Sequence, residues 1–183
     1  MAEALLVVVA DVGLKEARLV EVARVAGVSV GLVQRYFRTK EELIRFGVGY
    51  VYERTEQRAQ EVEFVMPVRG YLERLMAVFL PLDEARVREL RFWLAFLHTS
   101  LTDPELAATH QQAQLKLLTG LREAFEGAQR RGEVAADRDP TAEAAALVAF
   151  VDGLALHHLT TAPAYPVESL QPALTTYLDQ VFG

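Results

Sequence analysis

The chain has 183 residues, 51% of them hydrophobic and 24% charged, with 19 Lys and Arg against 25 Asp and Glu for a formal net charge of −6. That length fits one domain, or one domain carrying a small module, and a chain of this size buries roughly 70% of its extended surface without staples. Because it contains no cysteine, disulfides, thiolate catalysis, cysteine-based zinc sites and iron–sulfur ligation are excluded, and a reducing, cytoplasmic setting is expected.

Charge divides unevenly along the chain. Residues 1–60 hold 9 basic and 8 acidic side chains, a balance of +1, whereas residues 61–183 hold 10 and 17, a balance of −7. An acidic body therefore carries a near-neutral head with a local basic cluster. The first apolar run, Ala4 to Ala10, lacks a basic leader and is far shorter than the about 20 apolar residues of a membrane span, so no membrane partner is expected.

Apolar residues recur at three and four, and no two-residue hairpin turn separates alternating segments, which predicts an all-α fold. Breakers at Gly13, Gly27, Arg38 to Lys40, Met66-Pro67, Pro81, Thr102 to Pro104, Arg131-Gly132, Asp139-Pro140 and Pro163 to Pro166 divide it into about nine helices. In the head, Arg18 to Ala26 reads as an amphipathic helix with Leu19, Val22, Ala23 and Ala26 on one face. Gly27-Val28-Ser29 supplies a helix stop, an apolar plug and a cap for the next helix. That helix, Val30 to Phe37, buries Val33 and Phe37 and leaves Leu32, Gln34, Arg35 and Tyr36 outside. Two short helices around a Gly-containing turn are how a chain presents a helix to the DNA major groove.

Thr39-Lys40-Glu41-Glu42 is written as a capping box opening a continuous helix from about Lys40 to Glu63. Thr102-Asp103-Pro104 and Asp139-Pro140 are further helix starts with an acceptor at the cap and Pro at the first helical position. The helix from Thr141 to about Leu159 is apolar nearly all round, and its alanines permit close approach. One face meets the core and the other needs a partner chain. Leu170, Leu174, Tyr177, Leu178, Val181 and Phe182 form a second stripe, so a two-fold homodimer is expected through helices near 141–159 and 168–182.

Catalysis is not expected, nor any metal or cofactor. No HExxH, phosphate loop, dinucleotide fingerprint or nucleophile elbow occurs, and adjacent His157 and His158 point about 100° apart on a helix.

The segment VARVAGVSVGLVQRYFRTKEELI resembles the DNA-binding signature of the TetR family of transcriptional regulators. Ala23, Gly27, Val28, Ser29, Gly31, Phe37, Lys40, Glu41 and Leu43 match that pattern at fixed spacing. The segment from Arg91 towards Leu159 is similar to the carboxy-terminal half of the BetI-like subgroup. The resemblance implies a three-helix helix-turn-helix head, residues 1–46, on a helical effector-binding and dimerisation body, residues 47–183. It implies a ligand-responsive repressor of a double-stranded, palindromic DNA operator, with a small molecule as the releasing effector. Base-edge or groove contacts are implied from Val30, Leu32, Gln34 and Tyr36, and phosphate contacts from Arg18, Ser29, Arg35 and Lys40. Family members commonly carry Thr-Leu-Tyr where this chain has Leu32-Val33-Gln34, so operator contacts are expected to differ, with an amide able to pair with adenine. An apolar effector cavity is implied in the body, and Trp93, Phe96, His98 and His110 are the lining candidates. The alternative is a helical interaction or small-molecule carrier module without DNA binding, in keeping with the modest charge of the head.

Overall fold

A computed structural model describes residues 1–183 as nine helices without a strand. They are α1 (Ala2–Val12), α2 (Leu19–Val25), α3 (Val30–Tyr36), α4 (Lys40–Gln60), α5 (Val68–Ala77), α6 (Glu84–Ser100), α7 (Pro104–Arg130), α8 (Pro140–Thr160) and α9 (Val167–Phe182). The expected all-α fold is the observed one, with small shifts at the ends. α3 stops at Tyr36, and Phe37 turns extended (φ −127°, ψ 105°) to pack its ring half-buried against Phe46. α4 ends at Gln60 rather than near Glu63. Carboxylates cap the starts expected of them: Asp103 accepts from the Glu105 and Leu106 amides at 3.0 and 3.1 Å, and Asp139 from the Thr141 amide at 2.9 Å.

The chain packs as two units. One comprises Met1–Arg54 with Asp83–Gln111, the other Thr55–Leu82 with Gln112–Gly183. In the first, the apolar amino-terminal run becomes the buried side of α1: Leu5, Leu6, Val8 and Val9 join Val22 of α2, Leu43, Ile44, Val48 and Val51 of α4, and Phe92 and Phe96 of α6. The tightest point is Gly47. A Cβ there would lie 2.6 Å from Leu5 Cδ2 and 2.7 Å from Phe92 Cζ, so only a bare backbone lets α1, α4 and α6 meet. Beside this point the Glu3 carboxylate accepts from both the Tyr50 hydroxyl and the Arg54 guanidinium. Arg54 Nε also faces Glu89 at 3.4 Å, and Glu89 is only 5% exposed. A carboxylate that deep is tolerated because a cation and its hydrogen bonds compensate the lost water.

In the second unit, Val68, Leu72 and Met76 of α5 pack with Leu121 and Phe125 of α7, Leu147 and Val151 of α8, and Leu170, Leu174 and Leu178 of α9. Arg69 Nε donates to Asp179 at 2.8 Å and its Nη1 to Glu73 at 3.0 Å, tying α5 to α9. α8 is long and apolar enough to cross a membrane by length and composition alone, a test that the core helix of a soluble protein also passes. Its side chains divide sharply: Ala144, Leu147, Val148, Val151, Leu154 and Ala155 are buried, whereas Ala142, Ala145, Ala146, Ala149 and Leu156 are exposed. Asp152 sits at the edge between these faces, and burial pushes its carboxyl up to about 6 from the ordinary 3.8.

Two substitutions test this packing. Gly47→Ala gains about 1 kcal/mol of helix propensity but forces a methyl against two side chains that have nowhere to go, a strain of about 1–3 kcal/mol. Calorimetry should give a lower Tm, whereas Gly49→Ala, with nothing within 4 Å of its Cβ position, should raise it; the reverse order contradicts the packing described. For Asp152, folding favours the protonated form. Its contribution is fully present below pH 3.8 and is lost as pH rises through about 6. Asp152→Asn should therefore stabilise the protein at pH 7.5 by on the order of 2 kcal/mol and leave denaturation below pH 4 unchanged.

Candidate nucleic-acid interface

The local chemistry of residues 18–40 builds a short exposed helix on a fixed support. α2 closes with a double backbone bond: the Val28 amide donates to the Ala23 carbonyl at 3.0 Å and the Gly27 amide to Arg24 at 3.3 Å. That closure needs a left-handed residue, and Gly27 has φ +68°. Ser29 then takes an extended conformation and its hydroxyl accepts from the Leu32 amide at 3.2 Å, capping α3. At the far end Thr39 caps α4 by accepting from the Glu42 amide at 3.2 Å, while the Glu42 carboxylate reaches back to the Arg38 amide at 2.7 Å. The reciprocal box is present, displaced by one residue on its return arm.

Of the seven residues of α3, Val33 alone is fully buried, at 0% exposure. Leu32 is 39% and Tyr36 70% exposed, Gln34 and Arg35 are exposed, and Val30 is half-buried. The four side chains expected on the outside are outside. Of the candidate phosphate anchors, Arg18, Ser29 and Arg35 are exposed, and Lys40 is half-buried. The Lys40 ammonium donates to the Lys15 carbonyl at 2.5 Å and so braces the loop that follows α1.

Electrostatics set this region apart. Lys15, Arg18, Arg24, Arg35 and Arg38 are all exposed, and none of their side chains makes an ion pair or hydrogen bond. Elsewhere cations are mostly partnered: Arg45 with Glu105 at 3.3 Å, Arg122 with Glu126 at 3.0 Å, Arg131 with Glu133 at 3.0 Å and Arg138 with Glu143 at 2.8 Å. Free cations on an outward helix and in the segments that flank it in the chain suit a polyanion. Sequence reading singled out neither Lys15 nor Arg24. Only the partner count distinguishes them from other basic residues, and a sequence does not contain that count.

The effector candidates divide. Trp93, Phe96 and His110 come together: the rings of Trp93 and Phe96 stand edge-on to His110 at 5.9 and 6.3 Å between centroids. Tyr52, not anticipated from sequence, completes the group. Its hydroxyl lies 2.8 Å from His110 Nδ1 and its ring is edge-on to Phe96 at 6.3 Å. Burial lowers the His110 pKa, which favours the neutral imidazole. His98 is exposed and outside this ring cluster. A separate open cleft of about 330 Å³ between α5 and α9 is lined by Gly70, Glu73, Arg74, Ala77, Gln171 and Leu174, none of them a candidate.

A capped, exposed second helix after a Gly-containing turn, with unpartnered cations on it and in the segments before and after it, defines a helix-turn-helix transcriptional regulator. Comparison with known proteins agrees. Residues 3–45 match the family described as bacterial regulatory proteins, tetR family, and residues 68–183 match the BetI-type transcriptional repressor, C-terminal. The chain is 30% identical over 156 residues to the transcriptional regulator BetI of Escherichia coli (strain K12 / DH10B), covering 83% of this chain and 76% of that one. It is 29% identical over 160 residues to the regulator PksA of Bacillus subtilis, covering 86% and 76%. Among solved structures, a transcriptional regulator from Rhodococcus sp. Rha1 is 36% identical with a TM-score of 0.87, covering 98% and 92%. A regulator from Saccharomonospora viridis, solved in complex with choline, shares the fold at 20% identity and a TM-score of 0.89, covering 97% and 93%. The chain belongs to the TetR family of transcriptional regulators.

Proposed function

We propose that this regulator works in the cytoplasm as a homodimeric repressor that leaves a palindromic operator when a small molecule binds its body. The observation that carries the reading is the exposed, Ser29-capped α3 with unpartnered cations at Arg35 on it and Arg38 just after it, and others at Lys15, Arg18 and Arg24 in the segment before it. Residues 1–46 form the DNA-reading part and residues 47–183 the effector and dimerisation part, a division supported by the matches over 3–45 and 68–183. Val30, Leu32, Gln34 and Tyr36 meet base edges or groove walls. Arg18, Ser29 and Lys40 hold phosphates, joined by Arg24 and Arg38. Phosphate contacts fix the register, and groove contacts read sequence.

The exposed stripe of α8, Ala142, Ala145, Ala146, Ala149 and Leu156, is the surface we assign to the second copy, together with the outer side of α9, because the stripe of Leu170, Leu174, Leu178 and Val181 expected there is buried in the chain's own core. Small side chains let two such helices approach closely, and a two-fold axis places two recognition helices about 34 Å apart, one turn of DNA. For the effector, Trp93, Phe96 and His110 with Tyr52 form the recognition wall, and His98, exposed on another face of α6, is left out of it. The choline complex of the S. viridis protein makes choline the first compound to try. The face of an electron-rich ring attracts an organic cation by about 0.5–2 kcal/mol. No catalytic role is assigned to any residue.

Binding to the duplex flanking its own coding region, followed by fluorescence anisotropy across a salt series, tests the DNA reading. Affinity should fall by about a thousandfold or more between 50 and 200 mM salt. Gln34→Ala should relax sequence preference, whereas Lys40→Ala should weaken all sequences alike and flatten the salt slope by about one per phosphate lost. Operator binding untouched by both changes contradicts the assignment of the head. Trp93 is the single tryptophan, so its emission reports on the effector wall without labelling. A releasing compound should shift that emission at the concentrations that release DNA, and an unchanged spectrum on release would move the effector site elsewhere.

A further inference from the structure

We infer that Arg35 is a base-reading residue that selects one guanine in each operator half-site, rather than a phosphate anchor. The inference rests on the DNA-binding reading and adds to it the identity of one base pair. Successive side chains on an α-helix turn by about 100°. With Val33 pointing into the core at 0% exposure, Gly31 and Arg35 each stand about 160° from it, on either side of the outward pole. Leu32 and Gln34 lie at the flanks, about 100° from Val33. A helix with its side chains fills the width of the major groove, so its pole faces the floor of base edges squarely while its flanks face the groove walls and the base edges beside them.

Gly31 strengthens this placement. A Cβ at Gly31 would meet nothing within 4 Å, so the pole carries no side chain one turn before Arg35. The backbone there can sink towards the bases and bring the long Arg35 side chain over their edges. Arg35 is exposed and holds no ion pair or hydrogen bond, so no internal contact must break before it reads DNA. The phosphate role has other holders in Lys15, Arg18, Arg24 and Arg38, which are exposed, unpartnered and off the pole of α3.

The donor pattern then names the base. Guanidinium presents only donors, in a fixed fork. Guanine offers two adjacent acceptors, O6 and N7, on its major-groove edge. Adenine pairs an acceptor with a donor, thymine offers a single acceptor beside a methyl group, and cytosine offers a donor. Only guanine satisfies both arms of the fork. The neighbouring Gln34 amide, with one acceptor and one donor group, fits adenine instead, so the two residues read different bases.

Selection from a duplex library randomised over the half-site tests the inference, with the full-length parent, Arg35→Ala and Arg35→Lys compared and folding verified by circular dichroism. The parent should favour guanine at one position per half-site by about fivefold to a hundredfold over the other bases. Arg35→Ala should lose that preference while keeping those at other positions. Arg35→Lys keeps the charge and can still donate to O6 and N7 but lacks the fixed fork, so it should keep the parental salt slope with a weakened guanine preference. The inference is overturned if Arg35→Ala keeps the guanine preference and binds every duplex uniformly more weakly with a shallower slope. A parent that binds no duplex in a salt-dependent way overturns the underlying DNA-binding reading instead.

Discussion

The orientation of a seven-residue helix is fixed here by one inward side chain. α3 spans two turns, too short to be stable by itself, and Val33 is its only fully buried residue. Docking of that valine sets the rotation of the helix about its axis, and rotation decides which residues face outward. The Ser29 hydroxyl and the left-handed Gly27 define where the helix begins, and Phe37 packed on Phe46 defines where it stops. Three local devices and one buried methyl pair thus turn a stretch of sequence into a reading head. The unpartnered cations around it matter only because this rotation is fixed.

The support beneath the head is equally constrained. At Gly47 the backbone of α4 touches Leu5 of α1 and Phe92 of α6 with no room for a methyl group, and the Glu3, Tyr50, Arg54 and Glu89 network spans the same three helices. α6 also carries Trp93 and Phe96. A compound held by those rings therefore acts on a helix that already abuts the packing under the head. Release of DNA requires only that the compound bind one arrangement of these helices better than another, by about 1–3 kcal/mol. Because the contact at Gly47 has no slack, a shift of α6 has to be accommodated by α1 or α4.

Much of this was legible in the sequence, for identifiable reasons. Helical periodicity, the Gly27-Val28-Ser29 turn and the acceptor-then-proline starts before Pro104 and Pro140 are local signals, and each reappears as the bond or cap it implies. The spacing of Val33 from its neighbours was enough to place Leu32, Gln34, Arg35 and Tyr36 outside. Signals that depend on contact between distant residues were not legible. Tyr52 meets His110 across 58 positions, and the closeness at Gly47 arises from helices that are far apart in the chain. The lack of partners for Lys15 and Arg24 is likewise a property of what surrounds them. His98 shows the opposite failure: proximity to Trp93 and Phe96 in sequence does not carry it into their ring cluster, because it lies on a different face of α6.

The most direct measurement of the central claim uses the absence of native cysteine. A single Gly31→Cys substitution puts one thiol at the outward pole of α3, and, at duplex concentrations where anisotropy shows the variant bound, the rate of its alkylation by a maleimide is read with and without duplex. The account predicts fast alkylation of the free protein and strong protection on adding the flanking duplex, relieved by high salt. Slow alkylation of the free protein, or a rate indifferent to bound duplex, would contradict it.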